Sequence, residues 1–539
     1  MHSTSASVSE PLPAVGGRAS RAPWLWIGLA AAITAASVWV VLFDVIPKLR
    51  GPAPYPPEWE WPWEPILWSN PRTWMHLGLV LAYCTLVALL MRPAFFAEGA
   101  PLATRRARVR WGLIAAVLFF GAWELSLAWA RRGSLLDLII FRVYSPPGNG
   151  YFMSAVRAEG IRATLNDYAA AMPNFPHDRP QTHPPGIFIY YSLFIALFER
   201  MPDFSAWFAP IARGWETQGR DWVLLRDPYI PAAFFSGWVQ VLSACFAPVA
   251  FYFLLRRLEA REGHARGPSA FALWGALLIP LLPPVGSFYT HWDLNYLLLT
   301  AGGWFFALRA QDRTQAGERG PGPWLDWLWA GLLLCLLTWL SFGNAIFGLI
   351  VGLHLLWRQV AVVRPPGAPF FARATLGRFL AGGVITGAAV VLPWLLAYAT
   401  WGMNYFELLR VGMAMHYEIV TAGRDYSIWW WMNLVDFARW TGFGVVLLSL
   451  AGSVWLLRNA RRGYLERNLA GLVLIFWGVL LFLDFSGTAR GEIGRLWIFL
   501  MPFPLIFALA YLRTYGQRLA LLGMLAASSW VMAHALRAV

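Results

Sequence analysis

Thr182-His183-Pro184-Pro185-Gly186 closes a long polar stretch that begins at Asp137, and it opens an apolar run that ends near residue 199. The topology turns on whether that run crosses a bilayer. It is short for a crossing, since a hydrocarbon core of about 30 Å takes about 20 helical residues. Pro184 and Pro185 suit a helix start, where the first amides need no intrahelical acceptor. The run from 185 to 199 is therefore expected to be a helix that does not span.

Outward from it, the chain reads as membrane. Of its 539 residues 58% are hydrophobic and 13% charged, against about 25% charged in a soluble domain. The expected fold class is an all-α polytopic membrane protein with about 13 transmembrane helices. The spans are placed at 24–43, 73–91, 111–130, 231–255, 270–287, 292–309, 324–341, 343–357, 379–400, 435–457, 468–484, 494–511 and 518–537. The 33 Trp are read as interfacial belts and groove linings. Cys84, Cys245 and Cys335 all fall inside apolar runs, with no metal-type or disulfide spacing.

The net charge of +14 is assigned to arginines in cytoplasmic loops rather than to nucleic-acid binding. Arg105, Arg106, Arg108 and Arg110 form one group, and Arg256, Arg257, Arg261 and Arg266 another. Arg309, Arg313 and Arg319, then Arg358, Arg364, Arg373 and Arg378, continue the series, followed by Arg458, Arg461, Arg462 and Arg467, and by Arg513 and Arg518. These groups alternate correctly only if 185–199 does not cross, which leaves 131–230 outside. The N-terminus is then cytoplasmic, and the active face lies outside a bacterial cytoplasmic (inner) membrane. Four domains follow. Residues 1–22 form a disordered cytoplasmic tail. Residues 23–110 hold two additional spans with a Trp/Pro-rich outer loop, Tyr55 to Trp63. Residues 111–511 are the core, including outer loop 131–230, and 512–539 the C-terminal span.

Polar chemistry gathers on the expected outer face. Asp137 would stand at the membrane boundary, as a base or as a helix cap. Arg142 to Tyr151 contains the turn sequence Pro146-Pro147-Gly148-Asn149-Gly150. His177, Asp178, Arg179 and His183 form a dense group suited to phosphate binding, proton transfer or hydrogen-bonded loop structure. As a metal site their spacing is weak. His291 and Asp293 sit at an outer helix start, where an acid is favoured by the dipole. Glu418 lies in the 400–434 loop. Glu492 and Arg495 are three apart and share a helix face, at the mouth of a span.

His183-Pro184-Pro185 resembles the His/Lys-Pro-Pro element of the GT-C superfamily of membrane glycosyltransferases, which includes the protein O-mannosyltransferases and aminoarabinose transferases. Gly491-Glu492 with Arg495-Leu496-Trp497 and Pro502 resembles a segment of multi-pass bacterial proteins of this kind. The resemblance covers roughly residues 111–511 and implies a GT-C-like fold with juxtamembrane helices on the outer face. It implies a sugar moved from a polyprenyl-phosphate donor to a glycan, lipid or protein acceptor, by inverting in-line displacement with a carboxylate base. One departure stands out: Asn149 occupies the position at which the family carries an acid. The base is accordingly sought among Asp137, Asp178 and Asp293. Arg142, Asn149, Tyr151, His177, Arg179, His183, His291, Glu418, Glu492 and Arg495 are the expected substrate-binding residues. No cofactor is required by this chemistry, although a divalent metal is compatible with it. The expected partners are the lipid-linked donor, the acceptor and membrane lipids, with no nucleic acid. The competing readings are a transporter or flippase of lipid-linked sugars, and a non-catalytic scaffold of the same architecture.

Overall fold

The computed structural model describes residues 22–51, 61–97, 99–132, 134–145, 149–216, 219–260, 267–288, 291–318, 320–363 and 373–536. Nearly all of the expected N-terminal tail, and residues 55–60 of the Trp/Pro-rich loop, lie outside these. Among the described residues the chain is helical from end to end, and the β-structure is one isolated bridge between Trp63 and Leu536.

Ten helices among the described residues are long and apolar enough to cross a membrane: Ala22–Leu42, Pro71–Leu90, Leu102–Ala130, Tyr229–Glu259, Ala270–Ser287, Gly322–Leu340, Phe342–Ala361, Leu376–Trp401, Tyr464–Ser486 and Tyr515–Ala535. The protein is a multi-pass membrane protein. The expected span at 435–457 is instead a pair of helices, Tyr426–Thr441 and Phe443–Arg458, bent by 101°. The break falls at Gly442, whose φ of +95° is open to glycine and strained for other residues. Counted as one crossing, the pair makes eleven.

The two other expected spans take a different form. Residues 292–309 belong to the continuous helix Asp293–Gln315. Asn295, Arg309 and Gln311 dilute its apolar run, and its polar groups are sheltered by neighbouring helices: Gln311 and Asp312 are buried. Arg358 donates to Asp312 Oδ1 at 2.8 Å and to Gln311 Oε1 at 3.1 Å. A helix surrounded by protein does not need the apolar surface that lipid demands. The run 494–511 is broken into the turns Ile493–Leu496 and Ile498–Leu500 and the buried helix Pro502–Tyr511.

The helix after His183 is Gly186–Glu199, 14 residues. At about 1.5 Å per residue it reaches about 21 Å, short of a bilayer core. It packs under a set of short helices, Tyr151–Arg157, Ile161–Asn166, Tyr168–Ala171 and Asp178–Gln181. With Tyr405–His416 these build a separate small core around Tyr168, Met172, Phe175, Phe188 and Leu408. The polar stretch is thus a folded cap.

Gly186 decides how this helix begins. A Cβ there would stand 2.3 Å from the Trp339 carbonyl oxygen. Gly186→Ala is expected to cost about 1–3 kcal/mol through forced backbone movement. Thermal unfolding in detergent checks this against Gly28→Ala, where a Cβ meets nothing within 4 Å.

Candidate active site

Beneath the cap lies a cavity of about 190 Å³ whose wall draws on five distant parts of the chain. Asn149, Tyr151, Arg179 and His183 come from the cap. His291, Asp293 and Tyr296 come from the start of Asp293–Gln315, and Asn344 from the turn after Gly322–Leu340. His416 comes from the end of Tyr405–His416, and Arg495 from the Gly491–Arg495 turn.

Arg495 is the hub. Its guanidinium reaches Asp293 Oδ2 at 3.7 Å on one side and hydrogen-bonds to Glu492 Oε2 on the other. Glu492 is shared with Arg424, at 3.6 Å. Burial would raise the Glu492 carboxyl, but Arg495 and then Arg424 outweigh it and hold it at about 2. Burial and the neighbouring Arg495 together lower Arg179 to about 10. Arg179 and Arg495 both line the cavity, where their repulsion favours an added anion.

The Arg495 turn has an unusual backbone. Glu492 sits in the left-handed region (φ 56°), a costly conformation for a non-glycine residue, next to Gly491 at φ 86°. Hydrogen bonds fix it from outside. Asn433 Oδ1 accepts from the Gly491 amide at 2.9 Å, and Asp436 Oδ2 from the Ile493 amide at 3.0 Å. On the other flank Arg424 and Arg490 each donate to the other's carbonyl oxygen. His416 Nε2 and Thr421 Oγ1 both donate to the Thr488 carbonyl.

His183 is locked in one tautomer. Its Nδ1 lies 2.8 Å from the Arg179 carbonyl, which can only accept, so Nδ1 carries the proton and Nε2 the lone pair. Burial pushes its value down to about 3, and the ring is neutral at physiological pH. Arg179 Nη1 donates to His291 Nδ1 at 3.4 Å. His291 is also kept neutral, first by burial and then by Arg179.

Asn149 is buried and touches Tyr191. Gln240 Nε2 and Trp292 Nε1 donate to the same Tyr191 hydroxyl, at 2.7 and 3.3 Å. A hydroxyl has one proton and two lone pairs, so one of the two amides must turn its carbonyl toward Tyr191. The position where an acid was expected holds a neutral amide inside a neutral network.

Other expected residues lie elsewhere. Asp137 is fully buried, with Arg220 at 2.7 Å and Trp222 Nε1 donating at 2.7 Å. Arg142 is buried outside the cavity lining, and Asp178 and Glu418 are exposed away from it. His177 is partly buried behind Gly150. Sequence reasoning passed over Tyr296, whose spacing of three from Asp293 was a usable signal, and Asn344 in the short turn Phe342–Asn344. Among the described residues no three His, Cys, Asp or Glu side chains form a metal-holding group.

A second, larger cavity of about 750 Å³ shares Asn344 with the first as a lining residue. It runs between Gly322–Leu340, Phe342–Ala361 and Leu376–Trp401. Its walls are almost wholly apolar, with Trp327, Leu334, Val351, Leu355, Val390 and Trp394 among them.

No protein-family model matches this chain, and no curated protein matches it. One similar solved structure is the archaeal oligosaccharyltransferase AglB from Archaeoglobus fulgidus, in complex with an inhibitory peptide and a dolichol-phosphate. It aligns with a TM-score of 0.33 and 12% identity over 76% of this chain. The chain spans about half, 55%, of that protein's length.

Two outcomes are expected. Glu492 has a folded value of about 2 against an ordinary 4.5, so its contribution to stability is complete above 4.5 and is lost as pH falls through that range. Glu492→Gln should flatten the acid side of a melting-temperature profile relative to the unsubstituted protein. Asp137→Asn leaves Arg220 buried beside a neutral partner and should cost about 3–5 kcal/mol, read as lowered thermal stability.

Proposed function

We propose that this chain is a membrane glycosyltransferase of the GT-C type, which takes a sugar from a polyprenyl-phosphate donor on the outer face of the membrane. The observation that carries the reading is an apolar groove that shares the lining residue Asn344 with a cavity lined by Arg495, Arg179 and Asp293. An amphiphile with a long hydrocarbon chain and an anionic head has the matching shape: chain in the groove, phosphate at the arginines.

Asp293 is the carboxylate suited to act as base. It faces the cavity at a helix N-terminus and stands 3.7 Å from Arg495. In the proposed step, Asp293 accepts the proton of an acceptor hydroxyl. The hydroxyl oxygen forms a bond to the anomeric carbon as the bond from that carbon to the phosphate oxygen breaks. The electron pair leaves with polyprenyl phosphate, whose charge Arg495 and Arg179 receive. Attack from the face opposite the leaving group inverts the anomeric centre. His183, with a lone pair at Nε2, and the Asn149 amide supply neutral hydrogen bonds for sugar hydroxyls. The charges at the site, Arg495, Arg179 and Arg424 against Asp293 and Glu492, leave a positive balance that suits an anion more than a divalent metal.

The test reconstitutes the full chain in liposomes with a panel of polyprenyl-phosphate sugars and measures released polyprenyl phosphate. Asp293→Asn is expected to lower release about 10²- to 10⁴-fold, whereas Asp178→Asn should leave it nearly unchanged. Full activity in Asp293→Asn would overturn the base assignment. Movement of the intact lipid-linked sugar across the bilayer, with no release from any donor, would establish the transporter reading instead.

A further inference from the structure

The N-terminal segment reaches the site through Trp61. Trp61 is buried, and its Nε1 donates to Asp436 Oδ1 at 2.9 Å. Arg439 Nη1 donates to the same oxygen at 2.9 Å. The other oxygen, Oδ2, accepts from the Ile493 amide at 3.0 Å. Asp436 is 2% exposed, so these groups replace water entirely. Its carboxylate is a bridge with the N-terminal segment on one oxygen and the backbone of the Glu492–Arg495 turn on the other.

Aromatic packing reinforces the bridge. The Trp61 ring meets Trp440 at 4.9 Å and Phe288 at 5.6 Å. Phe288 in turn touches the His291 ring at 6.1 Å. Gly494 lets the turn lie against Trp440, because a Cβ there would stand 2.4 Å from the indole. Trp61 therefore touches the segment leading to Asp293 through Phe288, and reaches the turn carrying Arg495 through Asp436 and Trp440.

A left-handed Glu492 persists only where its surroundings over-determine it. Without a partner at the Ile493 amide, the turn can relax, and Arg495 then leaves its place between Asp293 and Glu492. We propose that Asp436 is a positioning residue for the Arg495 turn, and that Trp61 completes it, so that the N-terminal segment is part of the machinery that presents Arg495 to an anionic headgroup. The headgroup rests on the functional reading above; the positioning of the turn does not.

Two measurements on the full chain in nanodiscs separate these. The first is hydrogen–deuterium exchange of peptides covering 487–497, with peptides covering 293–300 as the internal control. Asp436→Asn can accept at one oxygen only and should speed exchange in 487–497 about tenfold, the equivalent of one hydrogen bond. Trp61→Phe keeps the ring packing, loses one donor and should show a smaller rise at the same place. The second compares binding of undecaprenyl phosphate with binding of undecaprenol. Asp436→Asn should weaken the phosphate about tenfold and leave the alcohol unchanged, whereas a general packing defect would weaken both. Unchanged exchange in 487–497 for both variants overturns the positioning role, whatever the lipids do. Equal weakening of both lipids also overturns it. Faster local exchange, together with phosphate binding that neither Asp436→Asn nor Arg495→Ala alters, supports the positioning role and removes the phosphate reading.

Discussion

A guanidinium placed between two carboxylates beneath a folded cap is the interaction on which the rest of the site depends. Removing charges from water is costly unless each meets an opposite charge or a hydrogen bond. Arg495 meets that condition with Asp293 on one side and Glu492 on the other. Take Arg495 away, and two acids are left at the cavity with Arg179 and Arg424 as their remaining cations. The cavity's stability and its proposed hold on an anion therefore rest on the same group.

That pairing requires a backbone that ordinary helical or extended residues do not provide. The Gly491–Arg495 turn combines a glycine at φ 86° with a left-handed Glu492. It is held on one flank by Asn433 and Asp436 and on the other by Arg424. The bent helix pair explains why those partners are available. Tyr426–Thr441 turns by 101° at Gly442 instead of continuing into Phe443–Arg458, which brings Asn433 and Asp436 alongside the turn. A straight span through 435–457 could not place both residues there.

Much of this was legible in the sequence, for identifiable reasons. Long apolar runs carry their own length signal, and ten of them form spanning helices. Pro184 and Pro185 mark the start of Gly186–Glu199 because their constraint is local. Asp293, His183, Arg179 and Arg495 were readable as ionisable residues without a reason to sit in lipid, and the cavity brings them together. What was not legible depends on distant partners. Asp137 reads as a boundary acid, and only the fold shows it enclosed by Arg220 and Trp222. The helix Asp293–Gln315 looks like one more span, yet its polar residues are matched by Arg358 of another helix. Tyr296 and Asn344 carry no charge to draw attention. Trp61 lies in a loop whose composition suggests an interfacial belt, and its bond to Asp436 crosses most of the chain.

The contrast between Asp137 and Asp293 shows why a buried acid is not thereby a catalytic one. Both are carboxylates paired with arginine. Asp137 has one oxygen against Arg220 and the other accepting from Trp222, and it is fully enclosed. A substrate proton has no route to it, and neither oxygen can turn without breaking a buried bond. Asp293 lines a cavity, and its arginine stands 3.7 Å away, shared with a second acid. In the proposed reaction, an anionic headgroup arriving at Arg495 would compete for that guanidinium and loosen its hold on Asp293. Binding of the leaving group would then make the carboxylate a better proton acceptor, a coupling open to Asp293 and closed to Asp137.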